Sequence, residues 1–471
     1  MCIKNSLRYL LLLFTIMISC SVMAQNVVWR DQHQVKRKET IFGIAKEYGV
    51  TIQQLIDSNP IMKTPGYELK KGALILVPFA KDGDIRPDGS IMGKTVKPSK
   101  ADKEAKKKGA NAAAIAKQEN AIHVGIMLPL HNQDGDGKRM IEFYRGVLLA
   151  LNEMKSEGIT TDVHAWNVPK DADIRTTLSD PNASKLDLIF GPLYSDQVKP
   201  LADFCRAHGT KLVIPFSITG NEVENNPNIF QVYQTDESLN SKAIASFLER
   251  FQKSHHPVFI NCNDANSQVG NFTSTLRKQL DMLKIKYDLT SLKSSAADFA
   301  KHFDKTRPNV VILNSEKSPQ LNEVFAKLAQ LKKTNPGIAI ALYGYNQWFV
   351  YQDYDLDNFF RYNTYIPSTY YYNKSSEKTK SLEAKYNEQY DEPMAKQYIP
   401  RLALTGYDQA QFFVRGIKAQ GKDFKGVYSD VKYRPLQTRY NFERVGQGGY
   451  INNNFQLIHF TTDQKMENLV Y

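Results

Sequence analysis

The sequence predicts an α/β protein in which a small βααβ module and a flexible linker precede a two-lobed domain built on parallel sheets. From Ile122 onward, short apolar strands alternate with helices, which is typical of parallel strands joined by right-handed crossovers. Residues 121–471 are too many for one sheet, so two lobes are expected. Residues 80–120 are Lys- and Ala-rich, with too little apolar surface to fold, and predict a basic flexible linker.

The elements of the large domain follow from local pattern. Short apolar runs predict strands at 122–130, 186–192, 211–215, 257–261, 310–313 and 337–343. Helices are expected between them, among them 140–158 and 195–208.

Composition narrows the class of protein. The chain has 471 residues, 42% hydrophobic and 23% charged, which excludes collagen-like and wholly disordered classes. Four cysteines are too few for a disulfide scaffold. The net charge of the chain is +12, but the net charge of residues 121–471 is only +3. We therefore expect no nucleic-acid partner, and a basic N-terminal arm suited to the anionic cell envelope.

The N-terminus is typical of an export signal over residues 1–24. Lys4 and Arg8 precede a short apolar run, and Ala24 offers a cleavage site. The alternative is a lipoprotein acylated at Cys20. No later run of about 18 apolar residues follows, so no membrane span is expected in the mature chain. The expected location is the periplasm or cell envelope, with an outer-membrane lipoprotein as the alternative.

Residues 34–79 predict a strand, two helices and a strand. A short strand at 34–36 leads to a helix that ends at Gly49. Thr51 caps the second helix, with Gln54 in capping-box position. Asn59-Pro60 stops this helix, and a strand at 73–77 closes the unit.

This module resembles the LysM domain. The matching residues are Thr40-Ile41, Ile44-Ala45, Tyr48-Gly49-Val50, Leu55, Asn59-Pro60, Leu69, Gly72, Leu74 and Leu76-Val77-Pro78. At the helix start, Lys38-Glu39 replaces the usual Gly-Asp. The resemblance implies binding to N-acetylglucosamine-containing glycan, chiefly peptidoglycan, in a groove between two loops. It places the glycan site at Glu39, Thr40, Ile41, Asn59, Pro60, Ile61 and Met62. The alternative is that Ile41 and Ile61 only close the core.

Residues 121–471 resemble type I periplasmic binding proteins, especially branched-chain amino-acid receptors, with a more distant likeness to lipoproteins that activate peptidoglycan synthases. The resemblance is carried by residues 126–130, 190–195, 213–217 and 230–235. Residues 406–410 resemble the late helix of the first lobe, and 446–460 the closing hairpin. The family binds its ligand between the lobes.

The candidate cleft residues follow predicted strands, where open α/β sheets place ligands. They are Ser195, Ser217, Thr219, Asp264, Gln268, Asn314, Ser315, Tyr345 and Asn346.

Each of these positions has a structural alternative. Ser195 is suited to an anion or to a helix cap, and Asp264 to an ammonium group or to a cap. Val269 stands where amino-acid receptors often carry an aromatic residue, which counts against an amino-acid ligand. The tyrosine-rich segment 362–372 is suited to a cleft, a docking face or packing between lobes.

The sequence offers no motif for catalysis, so we expect neither an enzyme nor a cofactor. His255-His256 lacks zinc-ligand spacing, and no P-loop or nucleophile elbow occurs. Asp134-Gly135-Asp136-Gly137 lacks the spaced ligands of an EF-hand. Cys205 and Cys262 are expected to be buried free thiols.

Two functions remain from the sequence. The first is a non-catalytic envelope protein, tethered to peptidoglycan by the LysM-like module, whose two lobes bind a small ligand such as an amino acid or a cell-wall fragment. The second is a regulatory scaffold that activates a peptidoglycan synthase or hydrolase through protein contacts.

Overall fold

The computed structural model describes residues 29–63, 67–78, 121–216 and 218–470. The predicted signal peptide, with its cleavage site and Cys20, and the predicted linker lie outside the described residues, as does Ser217.

The N-terminal module pairs two antiparallel strands beside two helices. The strands are β1, Trp29–Gln34, and β2, Leu74–Pro78. The helices are α1, Ile41–Tyr48, and α2, Ile52–Ser58, followed by a 3₁₀ turn at Pro60–Lys63. The predicted order of elements is confirmed, but β1 ends at Gln34, where the sequence predicted the first strand to begin.

Local signals in this module act as predicted. Thr51 accepts a hydrogen bond from the Gln54 N–H, and the Gln54 side chain accepts one from the Thr51 N–H, which completes the capping box. Gly49 ends α1 in the left-handed conformation at φ 66°, which favours glycine. A small core around Ala45, Val50, Leu55 and Val77 holds the unit together.

The first lobe has a seven-stranded sheet of order β13-β14-β7-β6-β5-β3-β4, parallel except for β13. Its strands are β3 Ile122–Leu128, β4 Thr161–Asn167, β5 Leu188–Phe190, β6 Lys211–Ile214, β7 Ile229–Gln231, β13 Phe442–Arg444 and β14 Tyr450–Asn452. Its helices are α3 Gly135–Ser156, α4 Ile174–Leu178, α5 Val198–His208, α6 Glu222–Asn225, α12 Glu377–Tyr390, α13 Leu402–Gln420 and α14 Tyr428–Val431.

The second lobe has a sheet of order β16-β15-β12-β11-β10-β8-β9, in which β15 runs antiparallel to both of its neighbours. Its strands are β8 His256–Asn261, β9 Asp288–Ser291, β10 Asn309–Leu313, β11 Ile340–Tyr343, β12 Thr364–Ser368, β15 Gln456–Phe460 and β16 Met466–Val470. Its helices are α7 Asp236–Phe251, α8 Gly270–Met282, α9 Ala296–Lys301, α10 Ser318–Thr334 and α11 Gln352–Arg361.

The chain passes between the lobes three times, after β7, after β12 and after β14. The prediction of a closing hairpin at 446–460 is therefore wrong. Strand β14 pairs with β13 in the first lobe, whereas β15 pairs with β16 in the second. The short segment from Asn453 to Phe455 separates them.

Two glycines set the close approach of α3 and α13 in the first lobe. A Cβ at Gly406 would lie 2.0 Å from the Phe143 carbonyl oxygen, and one at Gly146 would lie 1.9 Å from the Ala403 carbonyl oxygen. Only glycine permits this contact at these two positions. The packing fixes α13, whose residues reach the sites described next.

Candidate functional site

The loop before α1 is held by its own polar groups. The Thr40 hydroxyl accepts from the Gly43 N–H at 3.0 Å and so caps the helix. The Glu39 carboxylate accepts from the Lys36 N–H at 2.7 Å and contacts His33 Nε2 at 2.7 Å. Burial raises the pKa of Glu39, but these hydrogen bonds outweigh it and leave the pKa below its usual value. Glu39 therefore shapes the loop, since both of its contacts are to groups of the module itself.

The loop after α2 is tied to the sheet by Asn59. Its amide donates to the Leu55 and Leu76 carbonyl oxygens, both at 2.7 Å, and its oxygen accepts from the Leu76 N–H at 2.7 Å. The side chain is buried. Asn59 thus acts as a clamp that joins the end of α2 to β2.

The predicted glycan residues Ile41, Ile61 and Met62 are apolar and differ in exposure. Met62 is buried and Ile41 packs partly into the same core. Ile61 is 68% exposed, and Phe42, which the sequence did not single out, is 48% exposed. The Pro60 side chain lies outside the described residues. The module therefore presents exposed apolar surface beside fixed loop backbone.

In the first lobe, the structure brings two predicted cleft residues together. The Thr219 N–H donates to the Ser195 hydroxyl oxygen at 2.8 Å. Ser195 begins a short 3₁₀ turn rather than the α-helix itself, which starts at Val198. The predicted helix at 195–208 is thus shorter at its start, and the α-helical N-terminus lies three residues beyond Ser195.

In the second lobe, the Asp264 carboxylate is already engaged. It accepts from the Ser315 hydroxyl at 2.8 Å, from Lys317 Nζ at 2.8 Å and from the Asn266 N–H at 3.1 Å. The hydrogen bond from Lys317 is the largest cause that lowers the pKa of Asp264, followed by that from Ser315. An ammonium ligand would have to displace Lys317. Because Lys317 lies 53 residues after Asp264 in the chain, the sequence alone does not show this contact.

The other predicted residues of this lobe also form internal contacts. The Asn314 amide oxygen accepts from the Cys262 N–H at 2.6 Å. The Gln268 N–H contacts Glu316 at 3.3 Å, with the Gln268 residue itself exposed. The Tyr345 hydroxyl is buried against the Leu313 carbonyl oxygen, and burial raises the pKa of this phenol. Asn346 begins a 3₁₀ turn.

A cavity of about 530 Å³, which we call the strand-end cavity, lies at the ends of the first-lobe strands. Leu193, Phe216 and residues 232–234 line it just beyond β5, β6 and β7. Tyr370 and the loop 397–400 close its sides. Neither Ser195 nor Thr219 lies in this lining, so the cavity is displaced from the residues that the sequence predicted.

Gln409 supplies an unsatisfied polar group at this cavity. Its side chain is buried on α13, and neither amide atom has a hydrogen-bond partner among the described residues. Leaving a buried amide unpaired costs about 1–3 kcal/mol, so such a group marks a place where a ligand or water is needed. The sequence showed Gln409 only as part of the late-helix resemblance.

The crossovers are joined by side-chain hydrogen bonds. Lys242 Nζ donates to the Asn453 carbonyl oxygen at 2.6 Å and to the Gln234 side-chain oxygen at 3.1 Å. Asn454 and Gln456 donate to the Thr369 carbonyl oxygen at 3.2 and 3.3 Å. The first and third crossovers, and the second and third, are therefore linked directly.

The tyrosine-rich segment is mainly packing. Tyr362, Tyr365 and Tyr370 are buried in the second-lobe core, and burial raises the pKa of Tyr371 to about 12.

Cys205 and Cys262 are buried and free, as predicted. The sequence 134–137 forms the start of α3, where Asp134 accepts from the Gly137 N–H at 2.7 Å. Within the described ranges, no helix has the length and apolarity of a membrane span.

Comparison with known proteins identifies the N-terminal module. Residues 33–78 match the LysM domain family. No curated protein matches the chain significantly.

Solved structures similar to this chain include three transporter binding proteins. A putative branched-chain amino acid transporter protein from Rhodospirillum rubrum is 12% identical, with a TM-score of 0.49, and covers 74% of this chain and 100% of its own. A substrate-binding protein from Desulfitobacterium hafniense in complex with Leu is 15% identical, with a TM-score of 0.39 and the same coverages. A branched-chain amino acid binding protein from Streptococcus pneumoniae in complex with isoleucine gives the same values, 15%, 0.39, 74% and 100%. The chain thus carries a LysM domain followed by a two-lobed α/β domain. The strand order of the two sheets defines the architecture of that second domain.

Proposed function

We propose that this protein is a non-catalytic binding protein of the cell envelope. Its LysM domain holds it to peptidoglycan, and its two-lobed domain binds a small ligand in the strand-end cavity. The observation that carries the tether is the LysM domain itself, with Asn59 and Glu39 fixing two loops beside the exposed Ile61. The basic linker and export signal predicted from the sequence suit an exported protein held near an anionic wall.

In the LysM domain, loop backbone would bind the acetamido group and Ile61 would cover an apolar sugar face. Thr40, Ile41 and Met62 would hold the loops in position, and their side chains would not contact the sugar. Because Glu39 and Asn59 hydrogen-bond inward, their role in the proposal is to hold loop geometry. Binding by one such domain is weak, which suits a tether.

Pelleting the protein with purified peptidoglycan sacculi tests the tether. Replacing Ile61 by alanine removes exposed apolar surface worth about 1–2 kcal/mol, so binding should weaken about fivefold to thirtyfold. Ile52→Ala is the matched control, because Ile52 is also exposed but begins α2, whereas Ile61 lies in the 3₁₀ turn that follows the far end of that helix. If the unmodified protein stays in the supernatant, the proposal that the LysM domain tethers the chain to peptidoglycan is wrong.

The small-ligand proposal rests on the strand-end cavity. Its walls combine aromatic and aliphatic side chains with the unpaired Gln409 amide, and Arg139 adds a cation at one end. Arg139 pairs with Asp136, which leaves this end only partly charged. A ligand with an apolar body and a group that hydrogen-bonds to an amide fits this lining. Asp264 does not line this cavity and has no role in the proposed ligand binding.

Gln409→Leu separates binding from folding. Because neither amide atom is paired, replacing the side chain by an apolar one should leave the free energy of unfolding unchanged or raise it by about 1 kcal/mol. Thermal shifts with a metabolite collection should identify a ligand for the unmodified protein and lose that shift in the variant. An equal ligand-induced thermal shift in the unmodified protein and in Gln409→Leu would show that the ligand does not bind at Gln409 in this cavity.

A regulatory scaffold is the second candidate, favoured by apolar exposure at the β9 edge of the second lobe. Met282 is 74% exposed, and Leu283 and Leu289 are each 51% exposed. A photocrosslinker at position 283 should capture a cell-wall synthase or hydrolase in cells, whereas one at the exposed Lys305 should not. Capture of no wall enzyme from position 283 would contradict the scaffold.

A further inference from the structure

A second cavity lies between the second crossover, the loop before β13 and the strands β15 and β16, and it is distinct from the strand-end cavity. This crossover cavity has a volume of about 440 Å³. Tyr371 and Gln437 line it, whereas their neighbours Tyr370 and Thr438 line the strand-end cavity. The two cavities thus adjoin the same chain segments but share no lining residue. The volume suits a ligand of metabolite size.

The lining of the crossover cavity carries unpaired positive charge. Arg434, Arg439 and Lys378 all line it, and none of the three forms a side-chain hydrogen bond or ion pair with another described residue. Glu377 is the acidic residue in the lining, and its carboxylate is strongly exposed and engaged by Lys380 at 2.9 Å. Arginine pairs in a cavity wall are the usual receptors for carboxylate and phosphate groups, because each guanidinium can donate two parallel hydrogen bonds.

The two arginines also interact unfavourably with each other. Partial burial lowers the pKa of Arg439, and the charge of Arg434 lowers it further. An anion placed between them would remove this repulsion. The loop that carries them is rigidly held, since the buried Asp408 carboxylate accepts hydrogen bonds from Leu436, Gln437 and Thr438 N–H groups at 2.8 to 3.0 Å.

Two further features agree with an acidic ligand. The cavity includes the start of α12, a helix of 14 residues whose N-cap Ser376 makes no side-chain capping hydrogen bond, so N–H groups of the first turn are open to an anion. The buried side-chain oxygen of Asn468, also in the lining, has no partner among the described residues and would accept from a hydroxyl group on the same acid.

We propose that the crossover cavity binds a small acid, through a carboxylate or phosphate group held by Arg434 and Arg439, as a site separate from the strand-end cavity. Residues from both lobes form it, since Gln456 and Asn468 lie on β15 and β16 while the arginines precede β13. A bound acid therefore bridges the lobes and biases their relative arrangement. The site is independent of the LysM tether.

Calorimetric titration of the full chain with inorganic phosphate, acetate and citrate, at constant ionic strength in chloride, tests this site. Saturable binding is expected for at least one probe, and Arg434→Gln and Arg439→Gln should each weaken it at least tenfold. Lys305→Gln, which removes an exposed second-lobe cation, should leave it unchanged. Binding of phosphate alone would assign a phosphate ligand, and binding of acetate or citrate alone a carboxylate ligand.

The proposal fails if none of the three probes binds saturably, or if the arginine variants bind as the unmodified protein does. Arg439 is partly buried, so its substitution carries a risk to folding. Arg434→Gln and Lys378→Gln change exposed side chains and keep the test decisive even then. Circular dichroism of each variant confirms that the fold is retained.

Discussion

Substitution of Asp408 by asparagine should destabilise the first lobe and loosen the loop that carries Arg434 and Arg439. The Asp408 carboxylate is fully buried. It accepts from the Tyr433 hydroxyl at 2.7 Å and from three N–H groups of residues 436–438. Asparagine has the same shape but replaces one acceptor oxygen by an NH₂ donor, which would then face N–H or O–H donors.

The magnitude follows from these contacts. Hydrogen bonds to a charged acceptor contribute about 1.5–3 kcal/mol each, and the variant loses about two of the four. The contributions are not additive, so we expect a loss of about 3–5 kcal/mol. Asp423→Asn is the control, since Asp423 is exposed and its substitution should change stability by less than about 0.5 kcal/mol.

Urea denaturation gives the global effect, and hydrogen–deuterium exchange gives the local one. Because two lobes can unfold separately, the exchange of the amides at 436–438 is the more specific measurement. These amides should exchange at least a hundredfold faster in Asp408→Asn, with the second lobe unaffected. Unchanged exchange at 436–438, or a stability within about 0.5 kcal/mol of the unmodified protein, would refute the anchoring role of Asp408.

Three other predictions follow from single contacts. Burial raises the pKa of Glu142 to about 7, so the stabilising contribution of the protonated side chain is complete below about pH 4 and is lost as the pH rises through 7. Between pH 5 and pH 8 the unmodified protein should therefore lose about 2–3 kcal/mol more stability than Glu142→Gln. An equal change in the urea midpoint of both proteins between the two pH values would contradict this. Lys242→Met should free the third crossover, with faster proteolysis near residue 453 than in the exposed control Lys253→Met; equal cleavage in both would exclude a role for the Lys242 ammonium. Thr51→Ala should cost the LysM domain about 1 kcal/mol through loss of the capping box, measurable as amide exchange in α2, whereas unchanged exchange would show that the cap contributes nothing.

Elements with strong local signals were predictable from the sequence. The capping box at Thr51, the end of α1 at Gly49 and six buried strands, β3, β5, β6, β8, β10 and β11, follow from residue type and period. The strand β1 was misplaced because Trp29–Gln34 is mostly polar, so it lacks an apolar pattern. The closing hairpin was wrong because β14 and β15 adjoin in sequence yet belong to different sheets, and only tertiary structure separates them.

The candidate sites were harder to predict, since their geometry depends on contacts between distant residues. From the sequence, Asp264 was suited to an ammonium ligand or to a helix cap, but Lys317 and Ser315 donate to its carboxylate. Gln409 lay within a recognised segment, but nothing local shows that its amide is buried and unpaired. Arg434 and Arg439 look like ordinary loop cations until the crossovers bring Asn468 and the start of α12 to the same cavity.

The central claim is that the LysM domain binds acetamido glycan and tethers the chain. Calorimetric titration of the full chain with a tetramer of N-acetylglucosamine and with a tetramer of glucose tests it most directly. The account predicts saturable binding of the acetamido sugar alone, weakened by Ile61→Ala and unchanged by Ile52→Ala. Equal binding of both sugars, or binding of neither, would contradict it.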